Sequence, residues 1–260
     1  MRISLLSLAL LLLWPQDEYT LLKKVQQQAD FFTTDQLENS FLVKQYQLFK
    51  YQPDGTLQCT FSNLTYGNIS FVDALNPHKI LVFYKDFSRI VFLDNTLTEN
   101  WRAIDLQEMG LEQASAVCSS YDNGLWIFDQ VNFELFRYDQ DLQMTQDVKN
   151  VQQLTREVIQ ANFMMESGDW LFINDPEKGI FVFDLFGTFF KKIPITGLNN
   201  FQVFGETIYY FKDGQLKSYD IKKLEDKTVS LPVKDCRMVR MEKDRLMVLK
   251  DKEFWIYRVK

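Results

Sequence analysis

The chain has 260 residues, a formal net charge of −6, 46% hydrophobic residues and 25% charged residues. That is enough chain for a sizeable core. The basic residues are scattered along it, without the clustered Lys and Arg of a phosphate-binding footprint, so nucleic acid is excluded from the expected partners. Aromatic residues make up 15%, with 23 Phe against only 10 Gly and 6 Pro, a composition that suits half-buried pleated surfaces and points to an all-β fold.

Taken in order, residues 1–13 read Met-Arg followed by Ile-Ser-Leu-Leu-Ser-Leu-Ala-Leu-Leu-Leu-Leu. One positive charge before an apolar run of about eleven residues matches the first two regions of a secretory signal and is short for a bilayer span. Residues 1–16 are therefore expected to be a signal peptide and 17–260 the mature domain. The domain would have no integral membrane span and lie in the periplasm or cell envelope, or be secreted. Cys59, Cys118 and Cys236 are odd in number and widely spaced, which speaks for free thiols. Cys118 and Cys236 fall in equivalent strands and are expected to face each other across a channel, too far apart to bridge.

After Tyr19 a pattern recurs: a short apolar strand, a polar turn, a second strand ending in an aromatic and often Asp, then an amphipathic third strand. The clearest copies are Leu125-Trp126-Ile127-Phe128-Asp129 with Leu135-Phe136-Arg137-Tyr138-Asp139, and Trp170-Leu171-Phe172-Ile173-Asn174 with Ile180-Phe181-Val182-Phe183-Asp184. A third runs from Thr207 to Asp220, two weaker ones include Phe41–Tyr51 and Ile80–Asp94, and the last is Arg245–Tyr257. The anchors Tyr51, Leu93, Tyr138, Phe183, Tyr219 and Tyr257 are spaced by 36 to 45 residues, the length of a four-stranded propeller blade. Each copy is preceded by a short segment expected to be the innermost strand: 30–35, 69–73, 114–118, 161–165, 201–205 and 236–241. The last copy lacks an outer strand, and 19–26 has no blade of its own. Donating that N-terminal strand to the last blade closes the ring and leaves no open edge.

This LWIFD…LFRYD rhythm resembles the six-bladed propellers of the broad TolB-like, NHL and YWTD group over nearly the whole mature chain. The resemblance implies a fold and carries no function with it. The sequence has no YWTD tetrapeptide, no Gly-His…Trp-Asp pair and no paired glycines.

The entries to the proposed inner strands carry Asp30, Asn68, Gln113, Gln160, Asn200 and Asp235, a ring of polar side chains expected at one channel mouth, offering oxygen ligands to Ca²⁺ or contacts to a polar peptide group. The single histidine, His78, reads as a solvated turn residue and cannot build a multi-His metal site. No Gly-x-Ser-x-Gly elbow, phosphate loop or zinc pattern occurs. Segment 147–160 has Val148, Val151, Leu154, Val158 and Ile159 at helical spacing and is expected to form a short amphipathic helix. Trp101, Trp126, Trp170 and Trp255 are expected between blades. The expectation is an exported, monomeric, non-catalytic scaffold of the bacterial cell envelope without a cofactor. It would bind another protein or peptide through loops 62–68, 106–113, 147–160 and 197–200. The alternatives are a Ca²⁺-dependent hydrolase or lactonase using the polar ring, and a carbohydrate binder with exposed Trp or Tyr.

Overall fold

The computed structural model describes residues 18–260; the expected signal peptide lies outside the described residues. Six four-stranded antiparallel sheets follow one another along the chain. They are blade 1 (31–62), blade 2 (71–105), blade 3 (114–148), blade 4 (163–193), blade 5 (202–229) and blade 6 (238–259 with 19–25). The chain is a six-bladed β-propeller. Tyr19–Val25 pairs antiparallel with Phe254–Val259, Tyr19 opposite Val259 and Val25 opposite Phe254, so the first described strand is the outer strand of the last blade, as expected.

Period-2 alternation explains how the sheets hold together, because each strand sends alternate side chains to opposite neighbours. In Leu125–Asp129, Leu125 and Ile127 pack with Leu81, Phe83 and Phe92 of blade 2, whereas Trp126 and Phe128 pack with Leu171, Ile173 and Phe183 of blade 4. Every junction has its own buried cluster of this kind, including the one that closes blade 6 on blade 1 through Phe254, Ile256, Phe32 and Leu42. Phe32 and Phe254 meet edge to face at 5.0 Å, a favoured aromatic geometry.

The recurring Asp after the third strand has a local cause. Asp94 Oδ1 accepts from the N–H groups of Thr96 and Thr98 at 2.8 and 2.9 Å. Asp139 does the same with Asp141 and Gln143, and Asp184 with Phe186 and Thr188. The carboxylate fixes the turn into the outer strand by satisfying backbone donors there.

Two expectations are corrected. Segment 147–160 is not one helix: Val148 ends the outer strand of blade 3 opposite Leu135, and only Val151–Thr155 is helical. Asn150 and Arg156 bracket that turn with φ of 56° and 60°, left-handed values that a continuing α-helix cannot accommodate. Cys118 and Cys236 do not face each other: Cys118 is buried between blades 3 and 4, and Cys236 precedes the inner strand Met238–Glu242 and packs at the junction of blades 5 and 6. All three cysteines are free. Among the described residues no helix is long and apolar enough to cross a membrane.

Candidate functional site

The innermost strands are Phe31–Thr34, Phe71–Asp73, Ala114–Ser119, Phe163–Ser167, Gln202–Phe204 and Met238–Glu242. They all run the same way along the axis, so their first residues ring one end of the channel (the entry end) and their last residues the other (the exit end). A cavity of about 450 Å³ lies between. Ser70, Asn162, Asn199 and Asn200 line it at the entry end, and Phe31, Phe71, Phe163 and Phe201 form its aromatic waist. Towards the exit end come Thr34, Gln36, Asp73, Leu75, Glu166, Phe204, Arg240 and Glu242.

Blade 3 contributes nothing to this wall. Phe71 of blade 2 reaches Phe163 of blade 4 at 5.7 Å and 80°, and Phe163 meets Phe201 of blade 5 at 5.0 Å and 73°. The Phe71–Phe163 pair thus passes in front of the inner strand of blade 3, whose small residues Ala114, Ser115 and Ala116 leave room for it. Behind Phe71 a hollow of about 60 Å³ remains, bounded by Ser115, Ala116, Val117 and Asn162.

The carboxylates at the exit end differ sharply in their bonding. Asp73 accepts from Leu75 N–H at 2.9 Å and, across the junction, from Ser119 N–H at 2.8 Å. Glu166 accepts from Ser120 Oγ, Tyr121 N–H and Trp126 Nε1, each at 2.7 Å. Gln202 clasps the backbone of Met241 through its Nε2 at 2.7 Å and its Oε1 at 2.9 Å. These side chains bolt neighbouring blades together. Arg240 and Glu242 do not share that pattern. Arg240 Nε donates to Thr34 Oγ1 at 3.3 Å, and Thr34 Oγ1 donates to Glu242 Oε2 at 3.4 Å, both long contacts. Burial brings the Arg240 guanidinium down to about 10, against the pull of Glu242 and Asp73. Burial also pushes the Glu242 carboxyl above its ordinary value, with Arg240 opposing, as desolvation disfavours either charged form.

The sequence-derived ring sits at the entry end. Of its six members only Asn200 lines the cavity. Asp30, Asn68, Gln113, Gln160 and Asp235 are exposed. Asp30 holds Lys44 Nζ at 2.6 Å and Gln45 N–H at 2.8 Å, and despite partial burial these bonds keep its carboxyl below the usual range. Gln160 gives its N–H to Asp175 Oδ2 at 2.9 Å. In blades 1, 2, 4 and 6 the inner strands begin one or two residues later than expected, which leaves Asp30, Asn68, Gln160 and Asp235 ahead of them, and Gln113 stays outside because blade 3 does not reach the wall. Among the described residues no group of three or more His, Cys, Asp or Glu is placed to hold a metal ion. His78 is an exposed turn residue whose N–H donates to Asn76 Oδ1. Trp126 is buried between blades as expected, but Trp101 is 41% exposed and only touches Phe92 edge-on.

Sequence reasoning missed Arg240, Glu242 and the aromatic waist. Two signals were present: a Phe at the start of four inner segments, Phe31, Phe71, Phe163 and Phe201, and two charges spaced by two in a strand that should be the most enclosed of its blade.

No family model and no curated protein matches the sequence. Solved structures do match by shape. The WD40 domain of Neurospora crassa Pan2 superposes with a TM-score of 0.65 at 10% identity, over 93% of this chain and 95% of that one. A virginiamycin B lyase from Staphylococcus aureus gives 0.58 at 11% identity, over 88% and 80% of the two chains. A streptogramin B lyase gives 0.57 at 12%, over 88% and 78%. A WD40 domain and two lyases share this architecture, so the likeness establishes the fold and transfers no activity.

Proposed function

We propose that this propeller is an exported, non-catalytic scaffold that docks another protein or peptide on the exit end of its ring. The observation that carries the reading is the set of large apolar side chains exposed on the turns of that end. Leu37, Leu75, Tyr121 and Phe204 stand on or next to the turns that leave the inner strands, and Leu142, Phe186 and Leu224 on the turns into outer strands. Tyr121 is 70% and Phe186 76% exposed. Turn positions ordinarily hold Gly, Asn, Asp or Ser, and the apolar set exposed here is larger than the one at the entry end, as an interaction surface requires. Leu142 and Leu224 adopt φ of 59° and 58°, values that glycine or asparagine meets at lower cost. The sequence-derived loops and the polar ring lie at the opposite end, where Leu64, Phe87, Leu154 and Val158 are exposed. The apolar run at residues 3–13 supports export.

Affinity capture from the native cell envelope tests the reading, comparing the wild-type chain with a Leu75→Ser, Tyr121→Ser, Phe204→Ser variant. A reproducible partner held by the wild type and lost by the variant is expected. The same capture profile from both would overturn the exit end as the docking face. Exposed Trp101 and Tyr121 also favour a second reading, a glycan ligand, since aromatic faces stack on sugars. Tyr121 already carries Arg137 at 5.1 Å over its ring, which leaves less of it free. Retention on a glycan array that disappears with Trp101→Ala would favour this reading over the first.

A further inference from the structure

The axial cavity holds an unused pair of opposite charges. Met238, Arg240 and Glu242 alternate along one inner strand, so all three side chains reach the channel, and all three line the cavity. The Arg240 fork uses only its Nε, at 3.3 Å; its two terminal nitrogens have no hydrogen-bond partner among the described residues. Glu242 has only the Thr34 hydroxyl, at 3.4 Å. Neither residue forms an ion pair among the described residues, although both are half-buried in the cavity wall, where a guanidinium and a carboxylate gain from a charged partner. The other two carboxylates of the wall are saturated: Asp73 holds two backbone N–H groups and Glu166 holds three donors. What remains open is one planar fork of donors, one acceptor and an aromatic waist.

We propose that this cavity binds a small zwitterion with an apolar side chain, a free aromatic or aliphatic α-amino acid or a compound of that build. Its carboxylate takes the terminal nitrogens of Arg240 and its ammonium donates to Glu242. Its side chain lies among Phe31, Phe71, Phe163 and Phe201. The charge balance selects this class. A simple anion would satisfy Arg240 but lie against Glu242 and leave it without a donor. A simple cation would suit Glu242 and leave the fork bare. Only a ligand carrying both charges at short separation answers both groups, and Arg is the side chain suited to bidentate carboxylate recognition. A volume of about 450 Å³ is in the range of small-molecule pockets, far too small for a folded partner, so this inference stands independently of the docking reading.

Isothermal titration of the full chain with four probes tests it: L-phenylalanine, L-leucine, 3-phenylpropionate (no ammonium) and phenethylamine (no carboxylate). The expected result is saturable binding of at least one amino acid, each single-charge probe weaker by about tenfold or more. Arg240→Met should abolish the binding, and Glu242→Gln should shift preference from phenylalanine towards 3-phenylpropionate. Near-ultraviolet circular dichroism like that of the wild type and a thermal midpoint no lower than its own show that each variant is folded. Should Arg240→Met fail that control, Arg240→Lys keeps the charge without the fork and is expected to weaken binding. The proposal is overturned if no amino acid binds at millimolar concentration, if 3-phenylpropionate or phenethylamine binds the wild type as well as phenylalanine does, or if folded variants bind like the wild type.

Discussion

The junction of blades 3 and 4 and the junction of blades 6 and 1 treat a carboxylate near the exit end of an inner strand in opposite ways. Both carry a Glu near the end of an inner strand, Glu166 and Glu242, and both have an arginine close by. At the first junction Glu166 is 4% exposed and receives three donors at 2.7 Å. Arg137 is tied to Ser120 Oγ at 3.1 Å and Asp122 at 2.7 Å while its guanidinium lies over Trp126 and Tyr121. At the second junction one hydroxyl, Thr34 Oγ1, serves both Arg240 and Glu242 through long contacts. The fold shows at Glu166 that it can saturate a buried carboxylate. Glu242 lies opposite Arg245 at its turn, one register step beyond the place Glu166 holds opposite Leu171, and it and Arg240 stay loosely held instead of bolting blades together.

Breaking the first junction should have the largest effect. Glu166→Ala leaves the Ser120 hydroxyl, the Tyr121 N–H and the Trp126 indole without their acceptor, and a loss of about 3 kcal/mol is expected, read as a lower urea midpoint at unchanged slope. Trp126→Phe keeps the aromatic body, which is fully buried, but removes the indole donor and opens a small void. A loss of about 2 kcal/mol should appear in the same titration.

The second junction should respond weakly. Arg240→Met replaces a poorly partnered guanidinium by an apolar chain of similar reach, so stability should change by no more than about 1 kcal/mol and in the stabilising direction. A loss as large as that of Glu166→Ala would show that the two junctions are alike after all.

The smallest effect is one of pH. Burial raises the Glu242 pKa above its ordinary 4.5, so the folded state holds this proton more tightly than the unfolded chain. Its contribution is fully present below about pH 4.5 and is lost as pH rises through the folded value. Glu242→Gln removes that titration. Wild type and variant should therefore be closest in stability at acid pH, with the variant gaining on the wild type as pH rises towards neutral. Parallel stability curves for the two from acid to neutral pH would refute this account of Glu242.

Most of the architecture was legible because its causes are local. Alternation in Leu125–Asp129 sets which side chains go to which neighbouring blade, and Asp94, Asp139 and Asp184 fix their turns through donors two and four residues on. The spare strand Tyr19–Val25 was legible by subtraction, since the last repeat was one strand short. The candidate site was much less legible. A late start of one or two residues in the inner strands moved Asp30, Asn68, Gln160 and Asp235 out of the channel wall. The helical spacing at 147–160 was overridden because pairing of Val148 with Leu135 and two left-handed residues limited the helix to Val151–Thr155.

By itself the sequence determined the strands, their turns, the number of blades and the means of closure, since these follow from alternation and from contacts a few residues apart. Tertiary structure alone decided what the axis contains. Phe71 meets Phe163 across the inner strand of blade 3, and Thr34 meets Glu242 from 208 positions away. Such meetings depend on the curvature of the closed ring, which no stretch of sequence records.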